Sequence, residues 1–189
     1  MRKSPGSVEI IPIRGIPLIK KGDDLCALII DAISAQSEIS GLQNGDIVCI
    51  GQKIISKALG CAYYNLDEIK PTEEAQSLSS ITGKDLKKVQ MILDHSIRVI
   101  RVGKDLLVTE NENQLVGANS GIDFSNTENP TYLHPNCDEI AKDLHEKFFK
   151  RTGVKMGIVI TDSIGRAFRL GSVGFAAGSA GILALSDKR

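Results

Sequence analysis

Two apolar runs stand three residues apart in the middle of the chain, "RVIRV" (98–102) and "LLVTEN" (106–111), joined by "GKD". Aliphatic and β-branched residues on both sides of so short a connection leave one compact arrangement, an antiparallel β-hairpin. Helical periods flank it. "DDLCALIIDAISAQ" places Leu25, Leu28, Ile29, Ala32 and Ile33 on one face behind an Asp23 or Asp24 N-cap, and "CDEIAKDLHEKFFKRTG" places Ile140, Leu144 and Phe148 four apart and stops at Gly153. Residues 70–95 carry a third helical pattern, with Leu86, Val89 and Leu93 on one side. Strands are predicted at "SVEIIPIRG", at "GDIVCIGQKIISK", whose end carries Lys53 and Lys57, and at "KMGIVITDS". The closing "IGRAFRLGSVGFAAGSAGILALSDKR" has five glycines among small apolar residues, which permits close backbone packing or a mobile loop. The sum is an α+β protein: a mixed, mainly antiparallel sheet with packed helices, in one domain over residues 1–189.

Composition narrows the function. Lys+Arg and Asp+Glu both number 23, so no global charge draws the chain to nucleic acid or to a membrane surface. Hydrophobic residues make up 42% without any run near the length of a membrane helix, and the N-terminus does not resemble a signal peptide. A cytoplasmic protein with neither nucleic-acid nor membrane partners is expected. Cys26, Cys49, Cys61 and Cys137 form no CxxC pair, so reduced and mostly buried thiols are predicted. His134 and Cys137 have no second ligand pair to complete a zinc site. The histidines read as capping or solvated groups.

No GxxxxGK[ST] or GxGxxG phosphate loop occurs, so a nucleotide must be held by other means. What remains is oxygen ligands and cations at strand ends. "SGIDFSN" offers Asp123 and Asn126, "ITDSIGRAFR" offers Asp162 and Ser163, and Lys53, Lys57, Arg166 and Arg169 bring positive charge. Carboxylate, carboxamide and hydroxyl oxygens suit Mg²⁺ or Mn²⁺, and such ions among cations stabilise phosphoryl transfer. Taken alone, each string equally suits a self-satisfied Asx-type turn or an ordinary strand end.

Four segments in order, "VEIIPIRGIPLIKKGDDL", "GDIVCIGQKIISKALG", "LLVTENENQLVGANSGIDFSN" and "GIVITDSIGRAFRLGSVGFAAGSAGILAL", resemble the coenzyme F-420 γ-glutamyl ligase family. The resemblance implies a GTP-dependent enzyme that phosphorylates a carboxylate of a deazaflavin cofactor precursor and lets the amine of L-glutamate displace the phosphate. It implies guanine-nucleotide contacts at Ile16, Pro17, Leu18, Ile19, Gln52 and Lys57, and Mg²⁺ or Mn²⁺ ligands at Asp123, Asn126, Asp162 and Ser163. Lys57 and Arg166 are the candidate catalytic cations, with Arg169 a further phosphate or carboxylate contact, and a homodimer is implied. Gln114 stands where the family usually has glycine, and Gln52 where some members have serine. Family sequences continue past the point matching Arg189, which implies a further part of the nucleotide pocket. The resemblance also leaves room for a regulatory relative without turnover, or for a ligase of another acid.

Overall fold

A computed structural model describes residues 7–125 and 129–187. Helix α1 (Leu25–Ser34) starts where Asp24 accepts the Ala27 N–H at 3.1 Å, and it buries Leu25, Ile29, Ala32 and Ile33 as the period requires. The long helix α5 (Cys137–Thr152) ends at Gly153, whose φ of 69° is the left-handed conformation that releases a chain from a helix. Between them lie β1 (Ile47–Gly51), α2 (Gln52–Leu59), α3 (Glu73–Thr82), α4 (Leu86–Asp94), β2 (Ser96–Gly103), β3 (Leu106–Asn111) and β4 (Val116–Ala118). β5 (Gly157–Gly165) and β6 (Ser172–Ala180) follow α5.

The expected hairpin is present as β2–β3, and β4 extends it to a three-stranded antiparallel sheet. The remaining strands form a second sheet in the order β1–β5–β6, with β1 parallel to β5 and β5 antiparallel to β6. The α+β expectation therefore holds, with two small sheets in place of one.

Three expected elements differ. The strand read through Lys57 ends at Gly51, and residues 52–59 turn into α2, which places Lys53 and Lys57 on a helix. The helical pattern of residues 70–95 is two helices, because Gly83 at φ 74° ends α3 and Asp85 caps α4 by accepting the Lys88 N–H at 3.0 Å. "SVEIIPIRG" forms no strand; Val8 and Ile10 are exposed and unladdered among the described residues.

Two apolar clusters support the sheets. One joins α1, α2, α5, β1 and β5 around Ile29, Ile55, Phe148, Ile158 and Ile160. The other joins α3, α4 and β3 around Val89, Ile92 and Leu107. His95 stands near Tyr63 and Tyr132 at their edge, stacked on Tyr132 at 4.1 Å between ring centroids. Burial lowers its pKa. β6 runs close under α5: a Cβ on Gly178 would stand 2.4 Å from the Cys137 carbonyl carbon, so only glycine fits that crossing. Cys26, Cys61 and Cys137 are buried free thiols and Cys49 is exposed. Cys137 donates to the His134 carbonyl at 3.1 Å, and burial pushes its thiol up to about 11, so the pair closes a turn. Among the described residues no helix is long and apolar enough to cross a membrane.

Candidate active site

Asp123 reaches its position through an unusual piece of backbone. Asn119, Ser120 and Gly121 have φ of 56°, 54° and 73°, three left-handed residues in succession. Buried hydroxyls hold that turn: Ser120 Oγ lies 2.7 Å from Thr109 Oγ1 and 2.6 Å from Ser96 Oγ, and the Ser120 N–H donates to Thr109 Oγ1 at 3.0 Å. Beyond the turn Asp123 pairs with Thr131 through two backbone hydrogen bonds of 2.8 and 3.1 Å.

The Asp123 carboxylate divides its two oxygens. Oδ1 accepts from the Ser125 N–H at 2.8 Å and from Ser125 Oγ at 2.7 Å, so the Asx-type turn is real. Oδ2 faces the ammonium of Lys53 at 2.6 Å. Burial raises the Asp123 pKa, but the bonds from Lys53 and Ser125 outweigh it and hold the group below the ordinary aspartate value. Asp162 arrives on β5, and its Oδ1 accepts from the Ser163 N–H at 2.7 Å. Its pKa is raised, by burial first and also by the charge of Asp123, against the Ser163 bond and Lys53. The two carboxylates are thus electrostatic neighbours.

Both line one cavity of about 280 Å³, with Gln52, Ser125 and Ser163 among its other walls. Gln52, the first residue of α2, is 4% exposed. Ser56 Oγ stands 2.7 Å from the Gln52 side-chain oxygen position and 2.7 Å from the Tyr132 carbonyl. One hydroxyl proton cannot serve two acceptors, so the network is satisfied with the Gln52 NH₂ toward Ser56 and its carbonyl oxygen outward. Among the described residues no three His, Cys, Asp or Glu side chains gather. A cation here would take two carboxylates and complete its shell with neutral oxygens, water or phosphate.

The fold brings together Gln52, Asp123, Asp162 and Ser163 from the candidate residues. Asn126 lies outside the described residues. Lys57 sits one turn beyond Lys53 on α2, half-buried and off the cavity wall. Arg166 and Arg169 occupy the exposed β5–β6 connection, also off the wall. Ile16 and Ile19 pack against the α1–α5 cluster while Pro17 and Leu18 face outward; none of the four lines the cavity. Sequence reasoning named Lys53 among the cations at strand ends without pairing it to Asp123, and did not single out Ser125. The i, i+4 spacing of Lys53 and Lys57 is a signal for the first, but only once the segment is known to be helical.

Two carboxylates, one from the loop after β4 and one from β5, with an ammonium beside the first, line a cavity rich in hard oxygen atoms in an α+β fold. The family model described as F420-0:Gamma-glutamyl ligase matches residues 14–189. A protein of Methanocaldococcus jannaschii named coenzyme F420:L-glutamate ligase is 40% identical over 190 residues, which is 100% of this chain and 73% of that protein. Proteins of the same name from Methanothermobacter thermautotrophicus and Methanopyrus kandleri are 39% and 38% identical, over 96% and 97% of this chain and 72% of each relative. The chain belongs to the F420-0:gamma-glutamyl ligase family.

Proposed function

We propose that this chain joins L-glutamate to a carboxylate of a coenzyme F420 precursor as an amide, with GTP as the activating co-substrate and Mg²⁺ or Mn²⁺ at the Asp123/Asp162 cavity. The observation that carries the reading is the convergence of these carboxylates on one cavity from the bridged loop after β4 and from β5. The residues suit a divalent ion. Burial first, and the charge of Asp123 in addition, raise the Asp162 pKa, and a dication would offset both by stabilising the two ionised carboxylates. Ser163 and Ser125 add hydroxyl oxygens beside them.

Activation of a carboxylate by phosphoryl transfer gives an acyl phosphate, and the glutamate amine then displaces the phosphate to form the amide. A bound divalent ion would neutralise charge on the transferring phosphoryl group. Asp123 and Asp162, with Ser163, would hold that ion. Gln52 presents a neutral oxygen to the same space, suited to an amine or ribose donor. Lys57 and Arg166 supply charge for phosphate or substrate carboxylate from outside the cavity wall.

A homodimer accompanies this reading. Phe168 and Leu170 on the β5–β6 connection, with Val8, Ile10 and Leu18 near the N-terminus, are large apolar side chains left almost wholly exposed. A partner copy would cover them.

Calorimetry with GTP and Mn²⁺, followed by phosphate release with F420 precursor and L-glutamate, tests the function. Saturable metal-dependent GTP binding and glutamate-dependent phosphate release are expected, both abolished by Asp123→Ala and Asp162→Ala. Binding without release favours a regulatory relative, and release with another acid in place of the deazaflavin redefines the substrate.

A further inference from the structure

Lys53 holds the one Asp123 oxygen that a metal would need. Oδ1 is committed to two donors from Ser125, which leaves Oδ2 as the coordinating atom. The Lys53 ammonium stands 2.6 Å from Oδ2 and donates to the Ser125 carbonyl at 3.0 Å. It is bonded to two oxygens of the Asp123 loop, which is how a cation would engage that loop. The ammonium and a divalent ion on the same oxygen would face each other as like charges across one atom. They are therefore alternatives.

Lys53 also has somewhere to go. It is the second residue of α2, next to Gln52 on the cavity wall, and its side chain is 31% exposed on a flexible four-carbon stem. Its charge, once free of Asp123, would remain beside the cavity that Gln52, Asp123 and Ser125 line, where phosphates would accompany the metal.

We propose that Lys53 is an exchangeable cation of the site: it neutralises Asp123 until a divalent ion takes Oδ2, and its released ammonium then binds the phosphate oxygens of the nucleotide. This rests on the reading of the cavity as the metal and nucleotide site. The exchange makes metal and nucleotide binding cooperative, because the metal liberates a phosphate ligand. It also makes Lys53 act with opposite sign on the two: it competes with the metal alone and assists the metal–nucleotide complex.

That opposition is the test. Mn²⁺ binding without nucleotide is measured by the paramagnetic resonance of free Mn²⁺, and GTP binding at saturating Mn²⁺ by calorimetry. Wild type, Lys53→Met and Lys53→Gln are compared after circular dichroism establishes that each is folded. Removing the ammonium is expected to tighten Mn²⁺ about tenfold, and to weaken GTP about tenfold, the scale of one charge-assisted hydrogen bond. Lys53→Arg, which keeps the charge, should leave Mn²⁺ affinity near wild type. A structural role would weaken both ligands in the Met and Gln variants, and that result overturns the exchange. Tighter Mn²⁺ with unchanged GTP overturns the phosphate contact. Absence of Mn²⁺ binding by wild type overturns the site reading itself and the exchange with it.

Discussion

The crossing of β6 under α5 makes the sharpest stability prediction. In Gly178→Ala the new Cβ would lie 2.4 Å from the carbonyl carbon and oxygen of Cys137 and 2.8 Å from the Asp138 nitrogen. Ordinary contacts between carbon atoms begin near 3.5 Å, so roughly 1 Å of separation must open between strand and helix. The obstructing atoms are main chain in the first turn of α5, and they cannot rotate aside. Overpacking of this kind costs about 3 kcal/mol, the upper part of its usual range. For a chain of this length that corresponds to a fall in Tm of roughly 6–12 °C. Gly157→Ala is the control: its Cβ would meet Ile182 Cγ2 at 2.3 Å, a side-chain methyl that can turn away, and about 1 kcal/mol or less is expected. Thermal and urea unfolding of both variants measure the difference. If Gly178→Ala is within about 0.5 kcal/mol of wild type, or no worse than Gly157→Ala, the argument from backbone contact is wrong. Gly178 pairs with Ile160, two residues before Asp162, so displacing β6 should also weaken Mn²⁺ binding.

Two further substitutions follow from local geometry. Gln114 has a φ of 59° with an exposed side chain, so Gln114→Gly should stabilise the fold by about 0.5–1 kcal/mol, read as a higher urea midpoint with unchanged slope. Asp24→Ala removes the α1 cap and should cost about 1 kcal/mol at neutral pH, the exposed Arg151 contact adding little. The Arg151 hydrogen bond and then the Ala27 N–H hold the Asp24 pKa below its ordinary value. Its contribution is therefore full above the unfolded-state pKa and is lost as pH falls through the lower folded one. Acid titration of stability should bring wild type and Asp24→Ala together there.

The elements that were legible in the sequence carry their burial in apolar residues. α5 shows Leu144 and Phe148 at a helical period and stops at a glycine, and the first half of β5, residues 157–160, is an apolar run that is largely buried. α2 was hidden because its buried face includes Gln52 and Ser56 and its isoleucines Ile54 and Ile55 stand side by side after an apolar strand, which masks the helical period of a segment only eight residues long. Val8 and Ile10 looked like strand residues, but a strand needs a partner as well as a composition. In the candidate site, the family resemblance selected Asp123, Asp162, Ser163 and Gln52, and the fold brings these four to one cavity. The Lys53 ion pair was not legible, because it joins residues seventy apart in sequence and depends on α2 being a helix. The usual glycine at position 114 acquires a cause: that turn requires a left-handed backbone.

The parallel pairing of β1 with β5 also sets an order of assembly. Thr161 Oγ1 reaches the Ile50 carbonyl across 111 residues of chain, whereas the α3–α4 and β2–β3–β4 lobe is stitched by neighbours. Contacts of short sequence separation form early and distant ones late. During synthesis the Asp123 turn can therefore be in place before β5 has been made, and Asp162 joins it in one of the last steps of folding. Ligands that bridge the two carboxylates would act on that final step, locking the slow, long-range half of the molecule to the fast, local half.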